Sequence, residues 1–246
     1  MAAAADVAAL RAAVLSGEVA GWDDHGGEVG RTYTTLEQLW RVQAAEREDF
    51  YAANDCFWAA GGYGGGVEEA MIGDGGSMED VADSGRFLDR VLACHRSTQL
   101  MTALDAGAGV GRVTEHVLLP RCATVHLVEG CQRWSDVSRQ RLGQASCTFA
   151  TARLEDHTPP CNAYDLIWVQ WTLQYLIDVD VVQLLRRLGE GLTATGLMVL
   201  KENAPSEGSS GLLFQVLRTR RSSPPRRAAS HPPPHAGRRC RRPLVR

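Results

Sequence analysis

Between residues 100 and 200, short continuous apolar runs alternate with amphipathic stretches, and this alternation constrains the fold more than any other feature of the chain. The runs at 100–105, 124–128, 147–150, 166–169 and 197–200 read as five strands. The stretch following residue 106, the stretch 134–142 and the stripe Val181, Leu184, Leu185, Leu188 and Leu192 have a helical period, the last with Asp178 or Asp180 at its start. Strands that lack polar alternation are buried on both faces, and the helices between them supply the cover. The sequence therefore predicts an α/β fold, a doubly wound, mostly parallel Rossmann-like sheet. Such sheets bind ligands at the carboxyl ends of their strands.

The remainder of the chain divides by composition. Residues 1–34 are Ala- and Gly-rich and read as flexible, with a short helix over 6–15. Residues 35–96 read as an N-terminal helical extension. It has one helix over 35–54 (Leu36, Leu39, Trp40, Gln43, Phe50), glycine-rich loops at 61–66 and 73–76, and a helix resuming near Asp80 with Val81, Phe87, Leu88, Val91 and Leu92 on one face. The core domain spans 97–208, and 209–246 is a tail. With 44% hydrophobic and 22% charged residues among 246, the chain is not fibrous, collagen-like or wholly disordered. No run approaches the ~18 apolar residues of a membrane span. The Ala-rich start carries Asp6 and Arg11, which argues against a signal peptide, so the expected location is cytoplasmic or nuclear.

The net charge of −3 hides two opposed parts. Residues 218–246 hold ten Arg, six Pro and no acid; taking those ten from 26 basic residues leaves 16 against 29 acids, a balance of −13 for the body. The tail reads as disordered, as an arm for nucleic acid or an acidic partner, or as the product of a frame change or alternative splice. The seven cysteines form no C-x-x-C pair and read as reduced, mostly buried thiols. The seven histidines lack ligand spacing, so no metal site is expected.

The strongest local signal is LDAGAGVGR at 104–112, which follows a strand and opens a helix. A dinucleotide loop, G-x-G-x-x-G, would place its third glycine at 112, which is Arg112. The pattern here is Gly107, Gly109, Gly111, with an acid, Asp105, two residues before the first. It suits S-adenosylmethionine, which has no pyrophosphate to cradle. Glu129 ends the second strand, where a carboxylate can accept both ribose hydroxyls, and Gly130 and Cys131 beside it are counted with the cofactor positions. Arg112 can pair with the cofactor carboxylate. Leu154 and Glu155 follow the third strand toward the adenine edge, and Gln170 ends the fourth beside the methionine part.

Five stretches then carry a resemblance: GGYG at 61–64, LDAGAGVGRVTEHVLLP at 104–120, YDLIWVQW at 164–171, LLRRLGEGL at 184–192 and LMVLKENAPSEG at 197–208. They resemble the protein N-terminal Xaa-Pro-Lys N-methyltransferases, class I enzymes that use S-adenosylmethionine to methylate the α-amine of proteins beginning X-Pro-Lys or X-Pro-Arg. The resemblance covers residues 50–208. It implies cofactor roles for Gly107, Arg112, Glu129, Leu154, Glu155 and Gln170. It implies that Trp58 and Trp171, with Gly61 and Gly62 in the glycine-rich loop, hold the substrate N-terminus, and that Asn203 hydrogen-bonds the substrate amine. Tyr175 falls where the family has a His for proton handling. A tyrosine can donate or orient but is a poor base at neutral pH, since its pKa is about 10. Ser209 to Leu217 holds no acid, where the family has an acidic segment for the substrate Lys and then further strands, so the sheet is expected to stop at five strands. Two alternatives remain at this level: transfer to another amine, or a truncated, inactive methyltransferase-like binding protein.

Overall fold

The computed structural model describes residues 18–24, 29–73, 77–95, 100–143, 145–203 and 213–218. Two strands, β1 (Glu18–Asp24) and β2 (Val29–Thr35), form an antiparallel hairpin. The expectation of a flexible start thus fails over these residues, while the helix expected at 6–15 lies outside the described ones. The single helix expected over 35–54 is two, α1 (Leu36–Ala45) and α2 (Arg47–Ala60), parted at Glu46. Gly61, at φ 124°, ends α2, and with Gly62 returns amides to the Trp58 and Phe57 carbonyls. Short α3 (Glu69–Ile72) follows, then the longer α4 (Ser77–Ala93).

The main sheet is built from β3 (Leu100–Ala106), β4 (Cys122–Glu129), β5 (Cys147–Thr151), β6 (Tyr164–Gln170), β7 (Leu192–Glu202) and β8 (Leu213–Arg218) in the order β5-β4-β3-β6-β7-β8. The first five are parallel. Between them run a π-helical turn at Thr114–Leu118, α5 (Gln132–Leu142), a 3-10 turn at Leu173–Tyr175 and α6 (Asp178–Gly191). Alternate residues of β3, β4, β6 and β7 enter two separate cores, which is why these strands read as unbroken apolar runs. Ala103, Leu166, Trp168, Leu197 and Val199 pack with Val81, Leu88, Val117 and Leu142 on one face. Leu104, Ile167, Val169, Met198 and Leu200 pack with Leu184 and Leu188 of α6 on the other.

Two further expectations change. The sheet does not stop at five strands, because Leu213–Arg218 pairs antiparallel with β7 from Leu197 to Glu202. Its Leu, Phe and Val residues suit a strand, and the lack of acids hid them within the tail. Among the cysteines, Cys161 is disulfide-bonded, which the irregular spacing did not signal. Of the five free thiols among the described residues only Cys122 is buried, and Cys56 and Cys94 are exposed. Among the described residues no helix is long and apolar enough to cross a membrane.

Candidate functional site

The strand order reverses between β3 and β6, and the carboxyl ends of β3, β4 and β6 meet at that reversal. A cleft opens there, with an empty volume of about 1080 Å³ including its mouth. Its floor is the glycine turn after β3. The amides of Gly107 and Ala108 both donate to the Val128 carbonyl of β4, at 2.8 and 3.0 Å. Gly107, Gly109 and Gly111 have φ of 81°, 54° and 79°, a region closed to most side chains. A Cβ on Gly107 would come within 2.4 Å of Thr172 Oγ1, and one on Gly109 within 2.7 Å of Met71 Sδ. Gly111 is not part of the cleft wall. A Cβ there would strike Leu142 Cδ1 at 2.6 Å, so this glycine seats the turn against α5.

Glu129, at the end of β4, binds the turn. Its Oε2 accepts from the Gly109 amide and its Oε1 from the Cys131 amide, both at 2.8 Å. Burial pushes its carboxyl above the usual range, and the backbone donors oppose this. With the Gly130 amide as a third backbone donor, the carboxylate keeps room for a further hydrogen bond. Gly130 and Cys131 also line the cleft. Asp105, fully buried at the end of β3, accepts from Thr114 Oγ1 at 2.6 Å, and burial pushes it up to about 6. Leu154 and Glu155 line the far wall. Arg187 fixes their carbonyls at 3.0 and 2.8 Å. The buried Glu155 Oε1 has no hydrogen-bond partner and stands 3.6 Å from Arg153 Nη1. Burial raises its pKa.

Arg112 and Gln170 line the cleft, but parts of their polar groups are engaged elsewhere. Arg112 Nη1 donates to Asp80 Oδ2 at 2.6 Å and to the Ser77 carbonyl at 3.2 Å. Gln170 donates to the same Asp80 oxygen at 2.9 Å and accepts from Trp168 Nε1 at 3.0 Å. Lys201 Nζ donates to the other Asp80 oxygen and, at 2.9 Å, to Ser84. Burial pushes Asp80 up, but Lys201 and Arg112 outweigh it and hold the carboxyl below its ordinary range.

The opposite wall is aromatic. Trp171 follows β6 at φ 52°, a conformation costing about 1–3 kcal/mol for a bulky residue. Its amide donates to the Lys201 carbonyl at 2.8 Å. Arg112 and Lys201 lie 5.6 and 5.2 Å from its ring centre, and its indole Nε1 is buried without a partner. Trp58 and Tyr175 meet edge to face at 5.1 Å. Tyr175 is raised in pKa by burial and by its bond to Tyr63, which removes it from base chemistry at neutral pH.

Besides Gly111, three expected residues lie outside the cleft wall. Gly61 and Gly62 support Trp58 from behind: a Cβ on Gly62 would meet its ring at 2.8 Å, and one on Gly61 would face the Arg133 guanidinium. Asn203 is exposed beyond β7, because the preceding Glu202 is drawn inward to accept from the Thr172 and Leu173 amides at 2.9 and 2.8 Å. The sequence reading missed Tyr51, Asn54 and Asp55 of α2, Met71 and Ile72 of α3, and Arg153 and Thr172, all of which line the cleft. It also missed Asp80. Tyr51, Asn54, Asp55 and Trp58 share one helical face, a period that polar side chains concealed.

A family model described as AdoMet dependent proline di-methyltransferase matches residues 46–216, well over half of the chain. The chain belongs to this family. S-adenosylmethionine is accordingly its cofactor. The N-terminal Xaa-Pro-Lys N-methyltransferase 1 of Danio rerio is 38% identical over 146 residues, which are 57% of this chain and 66% of that protein. The alpha N-terminal protein methyltransferase 1 of Schizosaccharomyces pombe is 34% identical over 166 residues, 65% of this chain and 73% of the yeast protein. A SAM-dependent methyltransferase of Leishmania major superimposes with a TM-score of 0.65 at 27% identity, over 76% of this chain and 74% of that one. This member of the proline di-methyltransferase family thus spans about two thirds of the zebrafish relative's length.

Proposed function

We propose that the chain transfers a methyl group from S-adenosylmethionine to the free α-amine of a protein beginning X-Pro-Lys or X-Pro-Arg. The observation that carries this reading is the two-sided cleft, with Glu129 and the glycine turn facing Trp58, Trp171 and Tyr175 in a member of this family. The names of the relatives support the acceptor.

The residues fit the cofactor. Glu129 keeps acceptor capacity for a ribose hydroxyl, and Glu155 Oε1, which accepts no hydrogen bond, is a buried acceptor suited to an adenine amino group. Arg112, with Nη1 held by Asp80, offers its remaining N–H groups to a carboxylate. When bound, the cofactor supplies a methyl group on a sulfonium. The aromatic wall suits a proline ring and attracts cationic groups. An α-amine titrates near pH 7.7–8.0, so a neutral fraction is present without a strong base. Tyr175 then orients the amine, and transfer depends on alignment.

Mass spectrometry after incubation with cofactor and an X-Pro-Lys peptide tests this, with the N-acetylated twin as control. Methylation of the free peptide alone is expected. One observation favours a second reading, another amine acceptor: Asn203 is exposed and outside the cleft. Methylation of small amines but not of the peptide would select that reading. Calorimetric binding of S-adenosylhomocysteine with no transfer to either would overturn both.

A further inference from the structure

Tyr63 is no part of the cleft wall, standing 57% exposed in the turn between α2 and α3. Its contacts nevertheless reach the wall twice. Its hydroxyl lies 3.0 Å from the hydroxyl of Tyr175. Its ring meets Trp58 edge to face at 6.2 Å, and Trp58 meets Tyr175 at 5.1 Å. The three rings close a triangle with two corners inside the cleft and one outside.

The two ends of the hydroxyl pair are held differently. Tyr175 belongs to a turn fixed from several sides. Asn54 Nδ2 donates to its carbonyl at 3.1 Å, and Glu202 accepts from the amides of Thr172 and Leu173. Tyr63 is flanked by Gly62 and Gly64, both at positive φ, and its amide is tied to the Ala70 carbonyl at 3.0 Å. A side chain on Gly62 would strike Ala70 O at 2.3 Å and Trp58 at 2.8 Å, so the glycine lets the turn lie flat on the indole. The glycine-rich run thus brings one tyrosine to two aromatic residues of the wall.

We propose that Tyr63 is a positioning residue for the acceptor, acting through Tyr175 and Trp58 to hold the aromatic wall in one shape for the incoming N-terminus. This rests on the acceptor reading given above. Tyr63→Phe removes the hydroxyl bond and keeps the ring. It should raise KM for an X-Pro-Lys peptide about fivefold, the worth of one hydrogen bond. kcat and the affinity for S-adenosylhomocysteine should stay unchanged, because no contact to Glu129, Glu155 or the glycine turn is altered. Tyr175→Phe should lose more, because it also removes the hydroxyl that orients the amine, and adding Tyr63→Phe to it should cause no further rise, since the shared bond is already gone. Additive effects, an unchanged KM, or an equal fall in S-adenosylhomocysteine affinity would overturn the proposal.

A second measurement does not depend on turnover. Acrylamide quenching of Trp58, taken as the difference between the chain and its Trp58→Phe variant with S-adenosylhomocysteine bound, should increase in Tyr63→Phe and further in Tyr63→Ala. Unchanged quenching would overturn the positioning role. If the peptide is not an acceptor but quenching rises as expected, the acceptor reading fails and the role of Tyr63 stands.

Discussion

Asp105 shows what a buried acid at the turn costs and when. Its Oδ2 accepts from Thr114, yet burial dominates and lifts its pKa from 3.8 to about 6. The folded chain therefore holds this proton more tightly than the unfolded chain. As pH rises from about 4 to about 6, the unfolded state loses the proton first, and stability falls through that window. Two pKa units correspond to about 3 kcal/mol, fully lost above the folded value. Asp105→Asn is neutral at every pH and should not show this descent. Urea denaturation at pH 4, 5, 6 and 7 should bring the two proteins' stabilities apart in favour of the variant as pH rises. Parallel curves would mean that Asp105 titrates normally. Glu129 and Asp105 were legible because each lies at the end of a strand, Asp105 also two residues before the first glycine of the turn. Asp80 was not, since its partners Arg112, Gln170 and Lys201 stand 32, 90 and 121 residues away.

At the scale of elements, α2 matters most, because one of its faces lines the cleft. Tyr51 donates to Asp180 Oδ2 at 2.6 Å, and Arg47 Nε donates to the same oxygen at 3.0 Å, joining α2 to the first turn of α6. Asp55 pairs with Arg153, and the Trp58 carbonyl accepts from Trp134 Nε1 at 3.1 Å. Asp180→Ala would leave the buried Tyr51 hydroxyl without its acceptor, at a cost of about 1–3 kcal/mol. Asp178→Ala, two residues earlier and with a carboxyl raised by burial alone, should cost less. Because α2 carries Asn54, Asp55 and Trp58 over the cleft, Asp180→Ala should also weaken S-adenosylhomocysteine binding severalfold while Asp178→Ala spares it. Denaturation and calorimetry on the two variants check both effects, and equal losses would remove the clamp. The sequence disclosed this helix through its apolar spacing, but its polar face is held by distant partners that no local pattern encodes: Asp180 for Tyr51, the Tyr175 carbonyl for Asn54 and Arg153 for Asp55.

For the whole molecule, the parallel core was legible because burial on both faces leaves unbroken apolar runs. The N-terminal hairpin was not, because β1 and β2 mix glycine and polar residues and gain their order by pairing with each other. The last strand matters differently. β8 pairs with six consecutive residues of β7, Leu197 to Glu202, whose side chains enter both cores. Without β8, β7 becomes an edge with its backbone donors and acceptors uncovered, a template for association with another chain. Two truncations separate this from the effect of the arginine-rich tail. A chain ending at 218 keeps β8 and loses the residues after it, whereas a chain ending at 212 loses both. Reductant removes the Cys161 disulfide as a variable. The chain ending at 218 should melt with the full chain and stay monodisperse. The chain ending at 212 should melt several degrees lower and scatter more light as concentration rises. If the two truncated chains behaved alike, β8 would contribute nothing to the edge. The family match, which runs to residue 216, would then extend beyond the part of the chain that stabilises the fold.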